Sequence, residues 1–309
     1  MNVLITGSSG FLGKHVAEKF NWRGYKVYGV SRAPVITDYN QYALDVNDFE
    51  SLNKIFSERD IEIIIHTAGK PVVQDCERNP YDAYKVNGLG TASVLEAARL
   101  NNVKKVISIE TDKVYGYQEE IPTNETAVPN PKSPYEFSKV LAAEFAQFYR
   151  DYYGLEVISV RPANLFGPFD YSTSRIIPKA LENLKKGKGI RLYDTALEMK
   201  RDFVYVEDAS EAIYRLASRE CKHNTYNISA NEPIKIKDLA DKIVNTLGLN
   251  IPHDIVKKEG NFAEIPLQEI DGARFKEEFN FRFTPFETAI RDTWEKEMND
   301  EFITTTLEW

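Results

Sequence analysis

The chain is 309 residues long, room for one large or two modest domains, because single hydrophobic cores stop growing near about 250–300 residues. Its 42% hydrophobic and 28% charged residues lie near the usual globular values of about 45–50% and about 25%, which excludes a disordered, collagenous or coiled-coil chain. A formal net charge of −8 provides no overall positive field for nucleic acid or anionic lipid, so any phosphate site has to be local.

The first predicted strand, Val3 to Thr6, follows Met1 with no basic region or cleavage site, and no apolar run nears the roughly 18–20 residues of a membrane span. The expectation is a cytoplasmic protein with no membrane partner. After this strand comes TGSSGFLG, with Gly7, Gly10 and Gly13 three apart, and a helical pattern from Phe11 to Trp22. Glycines there let the backbone approach a pyrophosphate while the helix start offers free N–H groups and a positive dipole end. A ligand-free strand-to-helix turn is the plainer alternative.

The second strand, Lys26 to Ser31, ends Gly29-Val30-Ser31-Arg32, without the acid that holds the ribose hydroxyls in sites preferring NAD. Arg32 can pair with a 2′-phosphate, so the expected cofactor is NADP, with NAD as the alternative. Otherwise Arg32 is simply a solvated loop residue. Asp45, in ALDVND, has a spacing that can bring its carboxylate near an adenine amino group.

A strand from Ile61 to Thr67 carries His66, read as a packing residue rather than a catalyst, and a helix from Pro80 to Leu100 follows. The four histidines, at 15, 66, 223 and 253, and the two cysteines, Cys76 and Cys221, show no metal-ligand spacing. Next, the strand Lys105 to Ile109 ends in Thr111, Asp112 and Lys113. Parallel sheets bind ligands beyond the carboxyl ends of their strands, so these polar groups project toward the crevice of the glycine loop.

The helix from Pro134 to Tyr153 begins SPYEFSK, which places Tyr135 and Lys139 on one face. An ammonium beside a phenol stabilises its anion, making a usable base near neutral pH. The same stretch reads structurally, with Ser133 as N-cap, Pro134 at the first position and Glu136 completing a capping box. The aromatic residues Phe145, Phe148, Tyr149, Tyr152 and Tyr153 then serve as core or as a partner face.

Glu156 to Arg161 is the last strand of a βαβ series, the pattern of a doubly wound parallel sheet. Leu165 to Arg201 is richer in Gly, Pro and charge, with LKKGKG as a turn. Phe203 to Val206 and Asp208 to Ala217 return to strand and helix, and mixed signals follow from about Ile251. The expected architecture is α/β: a Rossmann-like domain over residues 1–167, rejoined by about 202–218, with a smaller interleaved α/β domain from 168–201 and 219–309.

With TGSSGFLG, HTAG at His66 to Gly69, NGLGT at Asn87 to Thr91, TDKVYG, YEFSK, RPANLFGP at Arg161 to Pro168 and RDFVYVEDA at Arg201 to Ala209, nearly the whole chain resembles the extended short-chain dehydrogenase/reductase family, especially its nucleotide-sugar epimerases and 4,6-dehydratases. The resemblance implies a Rossmann domain holding NAD(P), a second domain holding a nucleotide diphosphate sugar, and a Thr111, Tyr135, Lys139 triad. The implied cofactor site adds Phe11, Leu12, Val46 and Ala68 to Gly7, Gly10, Gly13, Ser31, Arg32 and Asp45, with Asn87 supporting helix geometry or a water relay to Lys139. Asn164, Arg201 and Lys258 are the implied sugar-diphosphate contacts, and a homodimer is the implied assembly. Asp112-Lys113 resembles the Asp-Lys pair of CDP-glucose and inverting UDP-N-acetylglucosamine dehydratases, with Asp112 as acid and Lys113 as base. The expected activity is therefore 4,6-dehydration of a nucleotide hexose; a 4-epimerase or 4-ketoreductase and a non-catalytic NADP-binding sensor are the alternatives. Glu110, where relatives carry Ser or Thr, departs from the pattern and would hold Lys113 protonated if the two met. The loop Tyr193 to Ala196 also lacks a glycine common in relatives, and Lys258 stands where many have Arg.

Overall fold

The computed structural model describes residues 1–257 and 267–299, which divide into two compact units. The first comprises Met1–Pro162, Ala209–Ile228 and Asp271–Phe281. Its centre is a seven-stranded sheet with every neighbouring pair parallel. The strands are β1 (Asn2–Thr6), β2 (Lys26–Ser31), β3 (Asn40–Ala43), β4 (Ile63–His66), β5 (Lys105–Ile109), β6 (Val157–Pro162) and a last strand, Thr225–Ile228. From one edge the order runs Thr225–Ile228, β6, β5, β4, β1, β2, β3, so the winding reverses between β1 and β4. That reversal opens a crevice beyond the carboxyl ends of the strands, where the glycine loop and the residues after β5 emerge.

The inner strands are continuous apolar runs because both faces are covered. Val3, Leu4 and Ile5 of β1 and Ile63, Ile64 and Ile65 of β4 are all buried. One face packs Leu4, Tyr28, Val30, Ile64 and Val106 against Leu52 and Phe56 of the Phe49–Glu58 helix and Val94, Leu95 and Ala98 of the Gly90–Leu100 helix.

Two sequence expectations need correction here. The return to the sheet extends to Ile228 and is joined by Asp271–Phe281, because Thr225–Ile228 pairs with β6 and Asp271 N donates to Thr123 O at 2.8 Å. The stretch 219–309 is therefore divided between the units, and the first break falls at Pro162 rather than residue 167. Moreover, the expected Pro80–Leu100 helix is not continuous: Pro80–Ala83 and Gly90–Leu100 flank a π-helical turn, Tyr84–Leu89.

The second unit holds Ala163–Asp208 and the described parts of 229–270 and 282–309. Asn164–Phe166 pairs parallel with Phe203–Tyr205, and Arg191–Tyr193 with Asp254–Val256. Lys200–Arg201 runs between Ile234–Lys235 and Leu267–Gln268. Helices Ile176–Lys185, Ile236–Thr246 and Phe286–Met298 complete it. Among the described residues no helix is long and apolar enough to cross a membrane.

Candidate active site

The glycine loop leaves β1 through Gly7, whose φ of +72° and N–H bond to Val30 O at 2.7 Å turn the chain sharply onto the Phe11–Trp22 helix. A Cβ on Gly13 would lie 2.1 Å from Gly7 O, so helix and loop touch backbone to backbone. No side-chain hydrogen bond caps the start of this helix at Gly10. Phe11 and Leu12, half-buried in the first turn, frame the loop. Ala68 N donates to Thr6 Oγ1 at 3.3 Å directly across from Gly7.

At the end of β2, Ser31 Oγ is buried with no hydrogen-bond partner among the described residues, and Arg32 is exposed. Gln41 crosses from β3 over Gly29 and accepts from Ser8 Oγ at 2.9 Å, while its Nε2 is also buried without a partner among the described residues. Orphaned polar atoms beside a glycine cradle suit a ligand with ribose and phosphate oxygens, so these residues fit a dinucleotide. Asp45 accepts from Asn47 N at 2.9 Å and Asn47 Nδ2 at 2.7 Å. Against burial, these bonds and the nearby Arg32 and Lys85 hold its carboxyl below the usual range. Val46, buried beside it, packs where a Cβ on Gly90 would come within 2.8 Å.

Tyr135 and Lys139 sit one turn apart on the Pro134–Tyr153 helix, and both are buried. The helix start is fixed by the expected capping box: Glu136 N donates to Ser133 Oγ at 3.2 Å and Ser133 N to Glu136 Oε2 at 3.1 Å. Tyr135 packs against Cys76, Ala83 and Val73. Lys139 Nζ donates to Ile109 O at 2.9 Å, tying the helix to the end of β5. Burial pushes this ammonium down to about 8, against the opposing pull of Glu110 and Cys76.

Asn87, inside the π-helical turn, is buried and accepts from Lys70 N at 2.7 Å. Its Nδ2 donates to Ser138 Oγ at 2.8 Å and to Lys70 O at 3.3 Å. It thus joins the loop after β4 to the helix at the position before Lys139. His66 is held between Thr6 Oγ1 at 2.7 Å and Thr91 Oγ1 at 2.9 Å, and burial, with Lys139 nearby, pushes its imidazole down to about 3.

After β5 the chain makes a 3₁₀ turn, Asp112–Tyr115, capped by Thr111, whose Oγ1 accepts from Lys113 N at 3.3 Å and donates to Asp112 Oδ1 at 3.1 Å. Thr111 and Asp112 are buried and Lys113 is half-exposed. Glu110 is turned into the protein and accepts from Arg161 Nε at 2.7 Å. The two partners lie 51 residues apart, so nothing local in the sequence announces the pair.

In the second unit, Asn164 Nδ2 donates to Asp202 O at 3.1 Å and Arg201 Nη1 to Lys200 O at 2.8 Å. Both are half-buried. Lys258 lies outside the described residues.

Residues 3–229 match the model of the NAD dependent epimerase/dehydratase family. The chain is 28% identical over 296 residues to the dTDP-glucose 4,6-dehydratase of Shigella flexneri, covering 85% of this chain and 80% of that protein. Among solved structures, the UDP-glucose 4-epimerase of Thermotoga maritima with UDP-glucose superposes with a TM-score of 0.90 at 26% identity, covering 100% of both chains. The dTDP-glucose 4,6-dehydratase of Bacillus anthracis in complex with NAD gives 0.86 at 25% identity, again over 100% of both. With the glycine cradle, the winding reversal and the Tyr135–Lys139 helix already in place, the match settles the family: this chain belongs to the NAD-dependent epimerase/dehydratase family.

Proposed function

We propose that the chain is a nucleotide-sugar 4,6-dehydratase that uses a nicotinamide dinucleotide, NADP in preference to NAD. The observation that carries this reading is the buried Thr111–Asp112 pair with Lys113 at the carboxyl end of β5, on the strand whose last carbonyl holds Lys139. Relatives named as dehydratases and as epimerases support a nucleotide hexose as substrate. The absence of an acid at the end of β2, the Ser31 hydroxyl unpartnered among the described residues and the exposed Arg32 support NADP.

Gly7, Gly10, Gly13, Phe11 and Leu12 would hold the pyrophosphate, and Ser31 and Arg32 the ribose with its 2′-phosphate, with Asp45, Val46 and Ala68 around the adenosine. A bound nicotinamide ring would supply the hydride acceptor for carbon 4 and the hydride donor for carbon 6. Tyr135 phenolate takes the proton of the hydroxyl on carbon 4, stabilised by the Lys139 ammonium, while the Thr111 hydroxyl, turning from Asp112 to the substrate, donates a hydrogen bond to the same oxygen. The resulting ketone acidifies the hydrogen on carbon 5, which Lys113 removes, and Asp112 protonates the hydroxyl departing from carbon 6; once hydride has reached carbon 6, the Lys113 ammonium gives its proton back to carbon 5. Asn164, Arg201 and Lys258 would bind the diphosphate.

Purified protein is to be incubated with UDP-, dTDP-, CDP- and GDP-hexoses and the products analysed by mass. Loss of one water from one of them supports the dehydratase. A product of unchanged mass but altered configuration marks a 4-epimerase, and no product with any of them, despite tight NADP binding, marks a non-catalytic sensor.

A further inference from the structure

The imidazole at the end of β4 stands in a chain of buried hydrogen bonds that the proposed chemistry does not use. Thr6 at the end of β1 and His66 at the end of β4 are direct neighbours in the parallel register. Thr6 Oγ1 lies 2.7 Å from His66 Nδ1, and His66 Nε2 lies 2.9 Å from Thr91 Oγ1 on the Gly90–Leu100 helix. Thr91 Oγ1 in turn donates to the backbone oxygen of Asn87 at 2.6 Å, inside the π-helical turn. Thr6, His66, Asn87 and Thr91 are all buried.

A hydroxyl has one proton to give, and that fixes the direction of the whole chain. The Thr91 proton goes to Asn87 O, so Thr91 Oγ1 accepts from the ring, and His66 carries its proton on Nε2. Nδ1 is then bare and accepts the Thr6 proton, while Thr6 Oγ1 accepts from Ala68 N at 3.3 Å. Every donor in the chain finds an acceptor, the condition under which a buried polar network is rigid.

The far end of the chain grips the surroundings of Lys139. Asn87 Oδ1 accepts from Lys70 N, and Asn87 Nδ2 donates to Ser138 Oγ, which itself donates to Tyr135 O at 2.7 Å. Beside Lys70, a Cβ on Gly69 would lie 2.9 Å from Asn87 Oδ1 and 3.7 Å from Lys139 Nζ. The Asn87 carboxamide therefore joins the two sides of the space that holds the ammonium, the Gly69–Lys70 loop and the Ser138–Lys139 turn. Its own backbone lies in an irregular turn, where the Thr91 hydroxyl holds it.

We propose that His66 is a positioning residue for the reaction: as the Nε2–H tautomer it orients Thr91, whose hydroxyl fixes the Asn87 backbone, so that the Asn87 side chain keeps the Tyr135–Lys139 turn in register. The proposal rests on the reading of Tyr135 as a phenol acidified by the Lys139 ammonium.

The test has two readouts. Nitrogen-15 spectra of protein labelled at histidine report which ring nitrogen carries the proton; the chain has four histidines, and the His66 signals are those lost in His66→Gln. Nε2 protonated and Nδ1 bare is the state expected at pH 7, and the reverse tautomer or an imidazolium overturns the proposal. The second readout is the ultraviolet absorbance of tyrosinate. Because the chain has 17 tyrosines, the contribution of Tyr135 is isolated by subtracting, in each background, the titration of Tyr135→Phe. His66→Phe keeps a ring without its nitrogens, and the Tyr135 transition is expected to move up by about one pH unit as the ammonium shifts away from the phenol. Thr91→Val, similar in shape but without the hydroxyl, is the second variant should the first fail to fold and is expected to act in the same direction. His66→Gln, whose amide both accepts and donates, and Thr91→Ser, which keeps the hydroxyl, are expected to leave the transition nearly in place. A Tyr135 transition unmoved in His66→Phe and Thr91→Val, even with a lowered melting temperature, makes the chain merely structural and overturns the proposal for His66 alone. If the subtraction leaves no near-neutral transition in the unaltered protein, the reading of Tyr135 itself falls.

Discussion

At the scale of single residues, the proposed chemistry converges on the Tyr135 side chain. Tyr135→Phe keeps the packing against Cys76 and Ala83 and removes only the hydroxyl, so turnover should fall by about 10²–10⁴-fold with dinucleotide binding retained. Steady-state kinetics and dinucleotide titration of the same variant check both halves; retained turnover would remove the phenol from the chemistry. At the cofactor end, Arg32→Ala deletes an exposed guanidinium beside Asp45. Charge-assisted bonds contribute about 1.5–3 kcal/mol, so the Kd for NADP should rise at least about tenfold while that for NAD stays nearly constant. Equal weakening of both would place Arg32 away from the 2′-phosphate. Tyr135, Lys139 and the glycines were legible because their chemistry lies in local spacing. The Lys139 bond to Ile109 O, the Gln41 bridge to Ser8 and the Glu110–Arg161 pair were not, since each depends on strands or helices brought together from 30 or more residues away.

At the scale of elements, β1, β2, β4, β5 and β6 and the two long helices Phe11–Trp22 and Pro134–Tyr153 were readable from apolar runs and amphipathic period. β3 and Thr225–Ile228 escaped notice because NQYA and TYNI mix polar residues into short segments that lie at the two edges of the sheet. The π-helical turn around Asn87 was equally invisible, for an extra residue per turn changes no hydrophobic period over so short a span. His66 ties three of these elements together and yields an acid-stability prediction. Its folded value of about 3 lies below the ordinary value of 6.5, so the unfolded chain binds the proton first as the pH falls. Stability is therefore fully present above about pH 6.5 and is lost between there and about pH 3, by up to roughly 5 kcal/mol. Urea midpoints at pH 7 and pH 5 should separate clearly for the unaltered protein and converge in His66→Gln; an undiminished separation in the variant would assign the acid sensitivity elsewhere.

At the scale of the whole molecule, the aromatic run near the end of the Pro134–Tyr153 helix divides by face. Phe145 and Tyr149 pack into the core, while Phe148 and Tyr152, stacked with ring centroids 5.3 Å apart, are 51% and 72% exposed. Leu89 and Leu100 are exposed too. If the homodimer implied by the family resemblance uses this exposed apolar face, Phe148→Glu with Tyr152→Glu should yield monomers in sedimentation at micromolar concentration with little change in stability. A dimer that survives both charges would have to use another face.

The most direct test of the proposed reaction follows a deuterium label placed on carbon 4 of the nucleotide hexose that is turned over. In the dehydratase account the label leaves carbon 4 and appears on carbon 6 of a product lighter by one water, in the unaltered protein and not in Tyr135→Phe. A label that returns to carbon 4 of an isomer of unchanged composition would contradict the elimination, and with it the assignment of Asp112 and Lys113.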